Sequence, residues 1–369
     1  MAEAHGLPVV TSSVVRAPSI LDAHDAARRD CLVPSERVAR CALQGMIKIL
    51  SIDGGGIRGI IPAMVLAEIE RRTKRCIASL FHLIAGTSTG GILALGLCIP
   101  KIPGAPLYAA RHLLELFERQ GARIFSSGIF HRLAACGNLR RSKYSASGIE
   151  QVLFEYFGDS RLGDAATDLL IPSYEIERSF PFFFRSAIAR ERSDYDFPVR
   201  EVARATSAAP TYFEPMKLPS GTFTDHYTLI DGGVCANNPA ACALVEARTT
   251  HPNTMDFLVV SLGTGELTRC LPFEQTKDWG VVRWAAPVLD VVFDGASRTV
   301  DYQLRQLLPD SPTKCKRYYR FQTTLDSHTH RLDNASPENI TALKALACNL
   351  VERDSAELEQ LCEKLTQKD

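Results

Sequence analysis

The pentapeptide Gly86-Thr87-Ser88-Thr89-Gly90 carries a serine in a G-x-S-x-G setting. The small flanking residues let a strand turn sharply into a helix, so that the Ser88 hydroxyl is presented at the helix N-terminus. There the helix dipole lowers the cost of forming an alkoxide. A serine nucleophile also needs a base. Asp231, in Leu229-Ile230-Asp231-Gly232-Gly233, is suited to that task because the glycines leave its carboxylate unscreened by side chains. His251, His328 and His330 follow Asp231 in the Ser–acid–His order of a hydrolase triad, but none sits in a context resembling a triad loop. His328-Thr329-His330 suits two imidazoles on one strand face, open to a metal pair or to surface histidines. The plain alternative for Ser88 is a helix cap with no chemistry.

A second segment, Asp53-Gly54-Gly55-Gly56-Ile57-Arg58-Gly59, is dense in glycine. Gly54-x-Gly56-x-x-Gly59 matches the dinucleotide fingerprint, which also wants an acid about 20 residues on to hold the ribose hydroxyls. The next strand ends instead in Ala85-Gly86-Thr87-Ser88, without an acid. A Walker A loop fails as well, since Ile60-Ile61 stands where Lys-Ser/Thr is required. What remains is a set of glycine N–H groups facing an anion at a helix N-terminus. A transient oxyanion suits that cradle as well as a phosphate does. A nucleotide-binding protein using Gly54–Gly59 is the rival from another class, and a tight turn without a ligand is the bland one.

Strands and helices must position these segments. Ile47–Ile52 is a short β-branched run ending at the glycines, and Leu80–Ala85 is a second apolar run ahead of Gly86; both read as buried strands. Ile61, Val65 and Ile69 recur at helical spacing over 60–72, and Arg71, Arg72 and Lys74 suit a helix C-terminus. Gly91–Leu97 opens a very apolar helix. This alternation predicts an α/β fold of three layers, with helices on both faces of a mostly parallel sheet. Further strands are expected at 169–175, 181–187 and 257–262, helices at 148–157 and 238–249, and a loop at 99–106. Ser336 as N-cap and Pro337 at the first helical position open a helix with the stripe Ile340, Leu343, Leu346, Ala347, Leu350 and Val351. Residues 1–45 mix Pro8, Pro18 and Pro34 with Ala and Arg and show no sustained period. They read as a loosely ordered extension ahead of a single domain, 46–369.

Hydrophobic residues are 46% and charged residues 23%, the balance of a globular chain and not of a disordered one. Lys+Arg (42) and Asp+Glu (42) cancel, so no net field gathers nucleic acid and none is expected as a partner. Eleven cysteines without a C-x-x-C pair argue against a disulfide framework or zinc ribbon and for a cytoplasmic location. No run of 18 apolar residues occurs, and Met1–Leu21 lacks the pattern of a signal peptide. With no D-x-[DN]-x-[DN]-G loop, no calcium, other metal or cofactor is expected.

The stretch Ile49-Leu50-Ser51-Ile52-Asp53-Gly54-Gly55-Gly56-Ile57-Arg58-Gly59-Ile60-Ile61-Pro62, then Ile84-Ala85-Gly86-Thr87-Ser88-Thr89-Gly90-Gly91, then Asp231-Gly232-Gly233 resembles the patatin-like phospholipases in three ordered motifs. Arg204–Phe213 and Ser261–Gly265 are similar to further segments of the family, so the likeness runs from about Lys48 to Leu365. The resemblance, taken as one to a bacterial-type lipid acyl hydrolase, implies a catalytic dyad without histidine: Ser88 as nucleophile, Asp231 as base. It implies an oxyanion hole from Gly54, Gly55 and Gly56, with Arg58 nearby. It further implies a carboxylic ester hydrolase of the phospholipase A type, cleaving membrane phospholipids or other acyl lipids through an acyl-serine in peripheral contact with the membrane. Some family members are bacterial anti-phage effectors switched on by cyclic nucleotides, which makes a cyclic-nucleotide effector the alternative. An acyltransferase or thioesterase would differ only in the acyl donor or acceptor.

Three stretches bear on a lipid substrate. Phe117, Ile124, Phe125, Ile129 and Phe130 suit either the lining of an acyl channel or ordinary core. Arg132, Arg140, Arg141 and Lys143 form a local basic cluster for lipid phosphates, a nucleotide effector or plain solvent. Trp279–Trp284 and Val288–Phe293 suit either contact with a bilayer or a core helix.

Overall fold

The run Ile47–Ile52 forms strand β1, and all six of its residues are buried. Alternate residues of a strand face opposite ways: Leu50 and Ile52 join one apolar cluster, Ile47 and Ile49 another. A strand apolar on both sides needs a helix layer on each face of its sheet. The structure is a computed structural model describing residues 45–102, 105–126, 142–220, 226–267, 271–284, 287–310, 316–326 and 328–367.

From β1 the glycine segment leads into α1 (Ile60–Thr73), and the pattern repeats with β2 (Leu83–Gly86) and α2 (Thr89–Cys98), a helix buried at every residue. Then follow α3 (Ala110–Ile124), α4 (Ala146–Phe157), β3 (Asp168–Glu175), β4 (Phe180–Arg185), α5 (Val199–Thr206), β5 (Met216–Pro219) and β6 (His226–Asp231). The chain continues through α6 (Ala240–Thr250), β7 (Phe257–Leu262), α7 (Pro287–Leu307), β8 (Tyr318–Phe321), α8 (Pro337–Arg353) and α9 (Ser355–Thr366). These strands make one eight-stranded sheet in the order β8-β7-β1-β2-β3-β6-β5, with β4 also on β3. The β8-β7-β1-β2-β3 portion is parallel throughout. Leu343, Leu350, Leu358 and Leu361 of α8 and α9 cover one face, and Ala243, Leu244 and Leu304 of α6 and α7 the other. The expected three-layer α/β fold is present.

Strand β3 is where direction changes, and it decides the site. Its first residues, Asp168–Leu170, pair in parallel with β2, and Ser173–Glu175 pair antiparallel with β6. Strand β4 pairs with Leu170–Glu175 and so occupies the opposite edge. Hence β2 and β6 run toward each other along a single edge of β3, and their C-terminal ends meet near its middle. Ser88 lies just past the end of β2, and Asp231 is the last residue of β6.

Some local expectations shift. The region expected as a loop at 99–106 contains two short antiparallel strands, Pro100–Ile102 and Ala105–Pro106. The run from Leu80 becomes a strand only at Leu83, because Ile77–Ser79 closes a 3-10 turn onto Leu80. Ser336 caps α8 as expected, accepting from the Asn339 N–H at 3.3 Å, but the helix stops at Arg353 and α9 begins two residues later. Residues 1–44 lie outside the described residues.

Candidate active site

Ser88 sits at φ +54°, ψ −120°, a left-handed conformation that a non-glycine residue adopts only when its surroundings impose it. Two close approaches do so. A Cβ on Gly86 would lie 2.1 Å from the Gly90 carbonyl oxygen, and one on Gly90 would lie 2.2 Å from the Ile52 carbonyl oxygen. Glycine at both positions lets α2 start directly against β1. The Ser88 N–H donates to Thr206 Oγ1 at 3.0 Å, and that hydroxyl donates onward to the Pro172 carbonyl at 2.5 Å. The Ser88 side chain makes no cap bond to its helix; its Oγ donates to Asp231 Oδ2 at 2.6 Å instead.

Asp231 is 1% exposed. Its other oxygen, Oδ1, accepts the Gly233 N–H at 2.7 Å. Burial raises its pKa from an ordinary 3.8 to about 7, and the bonds from Ser88 and Gly233 only partly offset that rise. Neither carboxylate oxygen has a histidine as hydrogen-bond partner among the described residues. His328 is exposed, and the segment of His328-Thr329-His330 is a turn instead of a strand, which removes the geometry of a metal pair on one strand face.

The glycine segment lies beside the serine. Gly55 and Gly56 line the same cavity as Ser88 and Asp231. Gly56 has φ +58°, and a Cβ there would lie 2.2 Å from the Leu332 carbonyl oxygen, so glycine is required. The Gly54 N–H donates to the Asn237 carbonyl at 3.0 Å, and the Gly54 carbonyl accepts from Thr264 Oγ1 at 2.6 Å. Arg58 donates from Nε to the Gly55 carbonyl and from Nη1 to the His330 carbonyl. Its guanidinium, its pKa lowered to about 10 by burial, lines an adjacent polar cavity with Asp53, Asp290 and Asp294 rather than the one at Ser88. Beneath the turn, Asp53 and Arg320 form a two-pronged buried ion pair at 2.9 and 2.6 Å.

The cavity at Ser88 is mostly apolar, with Phe117, Ile124, Phe125, Ile149, Phe213 and Phe293 in its wall. Three members of the expected aromatic stretch therefore serve as cavity wall, and Phe117 and Ile124 are core residues too; Ile129 and Phe130 lie outside the described residues. Of the basic cluster, Lys143 is ion-paired with the buried Asp333, and Arg132, Arg140 and Arg141 lie outside the described residues.

The family model of the patatin-like phospholipases matches residues 50–244, a span that holds the glycine turn, Ser88, Thr206 and Asp231. The chain belongs to the patatin-like phospholipase family. Patatin-like protein 2 of Arabidopsis thaliana is 32% identical over 348 residues, covering 84% of each chain. Patatin-like protein 4 of the same plant is 29% identical over 336 residues, covering 83% of this chain and 84% of its own. A Solanum tuberosum relative, 30% identical over 337 residues and covering 85% of this chain and 88% of its own, is named "Probable inactive patatin-3-Kuras 1". Membership in the patatin-like family thus does not by itself carry activity, and the residues at the site have to.

In this patatin-like site several contributors carry no motif of their own. Thr206 lies within the matched span and in Arg204–Phe213, and Thr264 in Ser261–Gly265, the two segments that the sequence alone likens to the family, which is the signal that could have found them. Asn237, Leu332 and Arg320 have no such signal. Arg320 is on β8, 267 residues from Asp53.

Proposed function

We propose that this protein is a lipid acyl hydrolase of the phospholipase A type in which Ser88 is the nucleophile and Asp231 its general base. The observation that carries the reading is the 2.6 Å bond from Ser88 Oγ to a buried carboxylate inside an apolar cavity. An ordinary carboxylate is a weak base for an alcohol, and burial to about 7 brings Asp231 closer to what proton abstraction needs. Ser88 Oγ attacks the ester carbonyl carbon as its proton passes to Asp231 Oδ2. The N–H groups of Gly55 and Gly56 receive the resulting oxyanion; the Gly54 N–H is committed to Asn237, and Arg58 supports the turn from behind. Collapse breaks the bond to the alkoxy oxygen, which takes the proton back from Asp231 and leaves as the alcohol. Water then attacks the acyl-serine, giving one proton to Asp231, and the free fatty acid departs as Ser88 recovers its hydroxyl.

The apolar wall favours a fatty acyl chain over a polar substrate, since a cavity of this lining removes alkyl surface from water. We take residues 46–369 as the catalytic domain and the protein as cytoplasmic, its six described cysteines being free. No described helix is long and apolar enough to cross a membrane, so it would meet lipid peripherally. The test is mass-spectrometric measurement of fatty acid released from phosphatidylcholine by wild type, Ser88→Ala and Asp231→Ala. Both variants should remain folded and lose release by about three orders of magnitude or more, as members of one catalytic unit do. Full activity in Asp231→Ala would remove it as the base.

A further inference from the structure

Helix α7 presents three different faces. Phe293, Ser297 and Leu304 are buried, and Phe293 forms part of the wall of the Ser88 cavity. One flank is charged: Arg298 pairs with Asp294 at 2.7 Å and Arg305 with Asp301 at 3.0 Å. The third face is apolar and open. Val288, Val291 and Val292 are 41%, 48% and 41% exposed, and Tyr302, on the same side by helical spacing, is exposed too. Ahead of α7, Phe273 and Val281 are 73% and 86% exposed. The two tryptophans of the chain, Trp279 and Trp284, pack edge to face with ring centres 5.3 Å apart in this segment.

We propose that this outer face of α7, with Phe273 and Val281, is the surface through which the protein rests on a lipid bilayer. The proposal rests on the acyl-lipid hydrolase reading and names the surface that serves the same site. Outward Val292 and inward Phe293 are neighbours in sequence, so the open stripe and the wall of the acyl cavity are two sides of one helical turn. A bilayer met by that stripe lies one helix thickness from the place where an acyl chain must arrive. A second copy of the chain is a poorer occupant. From Val288 to Tyr302 the stripe is ~20 Å long and ~10 Å wide, roughly a quarter of the ~800 Å² per partner that a stable protein interface needs. An interfacial helix needs only its apolar face sunk ~5–10 Å into the headgroup boundary.

Charge settles which bilayer. Residues 273–298 hold Lys277, Arg283 and Arg298 against Glu274, Asp278, Asp290 and Asp294. Without a basic excess, docking relies on apolar burial, so the partner is a zwitterionic surface and the contact is insensitive to salt.

The experiment uses the full chain with phosphatidylcholine vesicles and, separately, the soluble ester p-nitrophenyl butyrate. Wild type should float with the vesicles equally from ~50 mM to ~500 mM salt, and tryptophan emission should shift to the blue. Val288→Asp/Val291→Asp/Val292→Asp should weaken association roughly tenfold or more and lower vesicle hydrolysis to match, while butyrate hydrolysis stays within about twofold. If that variant also loses butyrate hydrolysis, Phe273→Ser/Val281→Ser, away from α7, carries the same expectation. Vesicle binding retained by the variants overturns the proposal. So does wild type that binds only anionic vesicles, or a dimer that the variants split. Wild type inert toward butyrate refutes the hydrolase reading alone, because flotation and emission still judge the surface.

Discussion

Replacing Asp231 by Asn should make the protein more stable above neutral pH while abolishing its chemistry. The folded chain holds this carboxylate at a pKa of about 7 against an ordinary 3.8, chiefly through burial. A group whose folded pKa is raised favours folding only when protonated. Below 3.8 both states bind the proton and nothing is lost; between 3.8 and about 7 the unfolded state releases it first, and stability falls by ~1.4 kcal/mol per pH unit. Above about 7 the full penalty, up to ~4 kcal/mol, is in place. An asparagine carries no charge, and its amide can keep both contacts: Oδ1 accepts the Gly233 N–H, and Nδ2 donates to Ser88 Oγ. Urea unfolding of wild type and Asp231→Asn at pH 5 and pH 8.5 isolates the effect. The variant should gain up to ~4 kcal/mol at pH 8.5, or roughly 5–10 °C in Tm, and the gap should shrink to less than half at pH 5. An equal gap at both pH values, or a variant less stable at pH 8.5, would refute the claim that burial of this charge sets its basicity.

The same pKa governs rate: kcat/KM for a soluble ester should rise with pH through an apparent midpoint near 7, and a profile flat from pH 5 to 9 would contradict an ionised Asp231 as base. Thr206→Val removes the acceptor of the Ser88 N–H, so kcat should fall about 10- to 100-fold with little change in KM, and Thr206→Ser should restore most of it. Loss of KM alone would point to substrate contact and not to positioning of the serine. Arg320→Leu leaves Asp53 buried without its partner; chemical unfolding should show a loss of about 3–5 kcal/mol, and a neutral result would remove the ion pair as the anchor of the glycine turn.

Legibility in the sequence follows how local each feature is. The turn at Ser88 and the turn at Gly54–Gly56 are readable because strand, glycines and helix follow one another within about a dozen residues. The parallel pair β1 and β2 is readable for the same reason. The meeting of Ser88 with Asp231, 143 residues apart, depends on β2 and β6 converging on one edge of β3, a relation that no spacing encodes and that only likeness to the family suggests. Strands β5 and β8 are four residues each, too short for a periodic signal, and with β8 hidden the role of Arg320 is hidden too. The amide of Gly54 looks equivalent to those of Gly55 and Gly56 in sequence. Only the fold brings the Asn237 carbonyl to it. In α7, Phe293 is buried as a core helix requires, while Val288, Val291 and Val292 are open, a division within one turn that the apolar run Val288–Phe293 does not display.

The most direct measurement is covalent. A fluorophosphonate ester, whose phosphorus takes the place of the reacting carbonyl carbon, should add once to the folded wild-type chain. Peptide mapping should put the adduct on Ser88, formed at a rate that climbs with pH about a midpoint near 7. Ser88→Ala should take no label and Asp231→Ala should take it orders of magnitude more slowly. A single adduct on another residue, or undiminished labelling without the Asp231 carboxylate, would contradict the account.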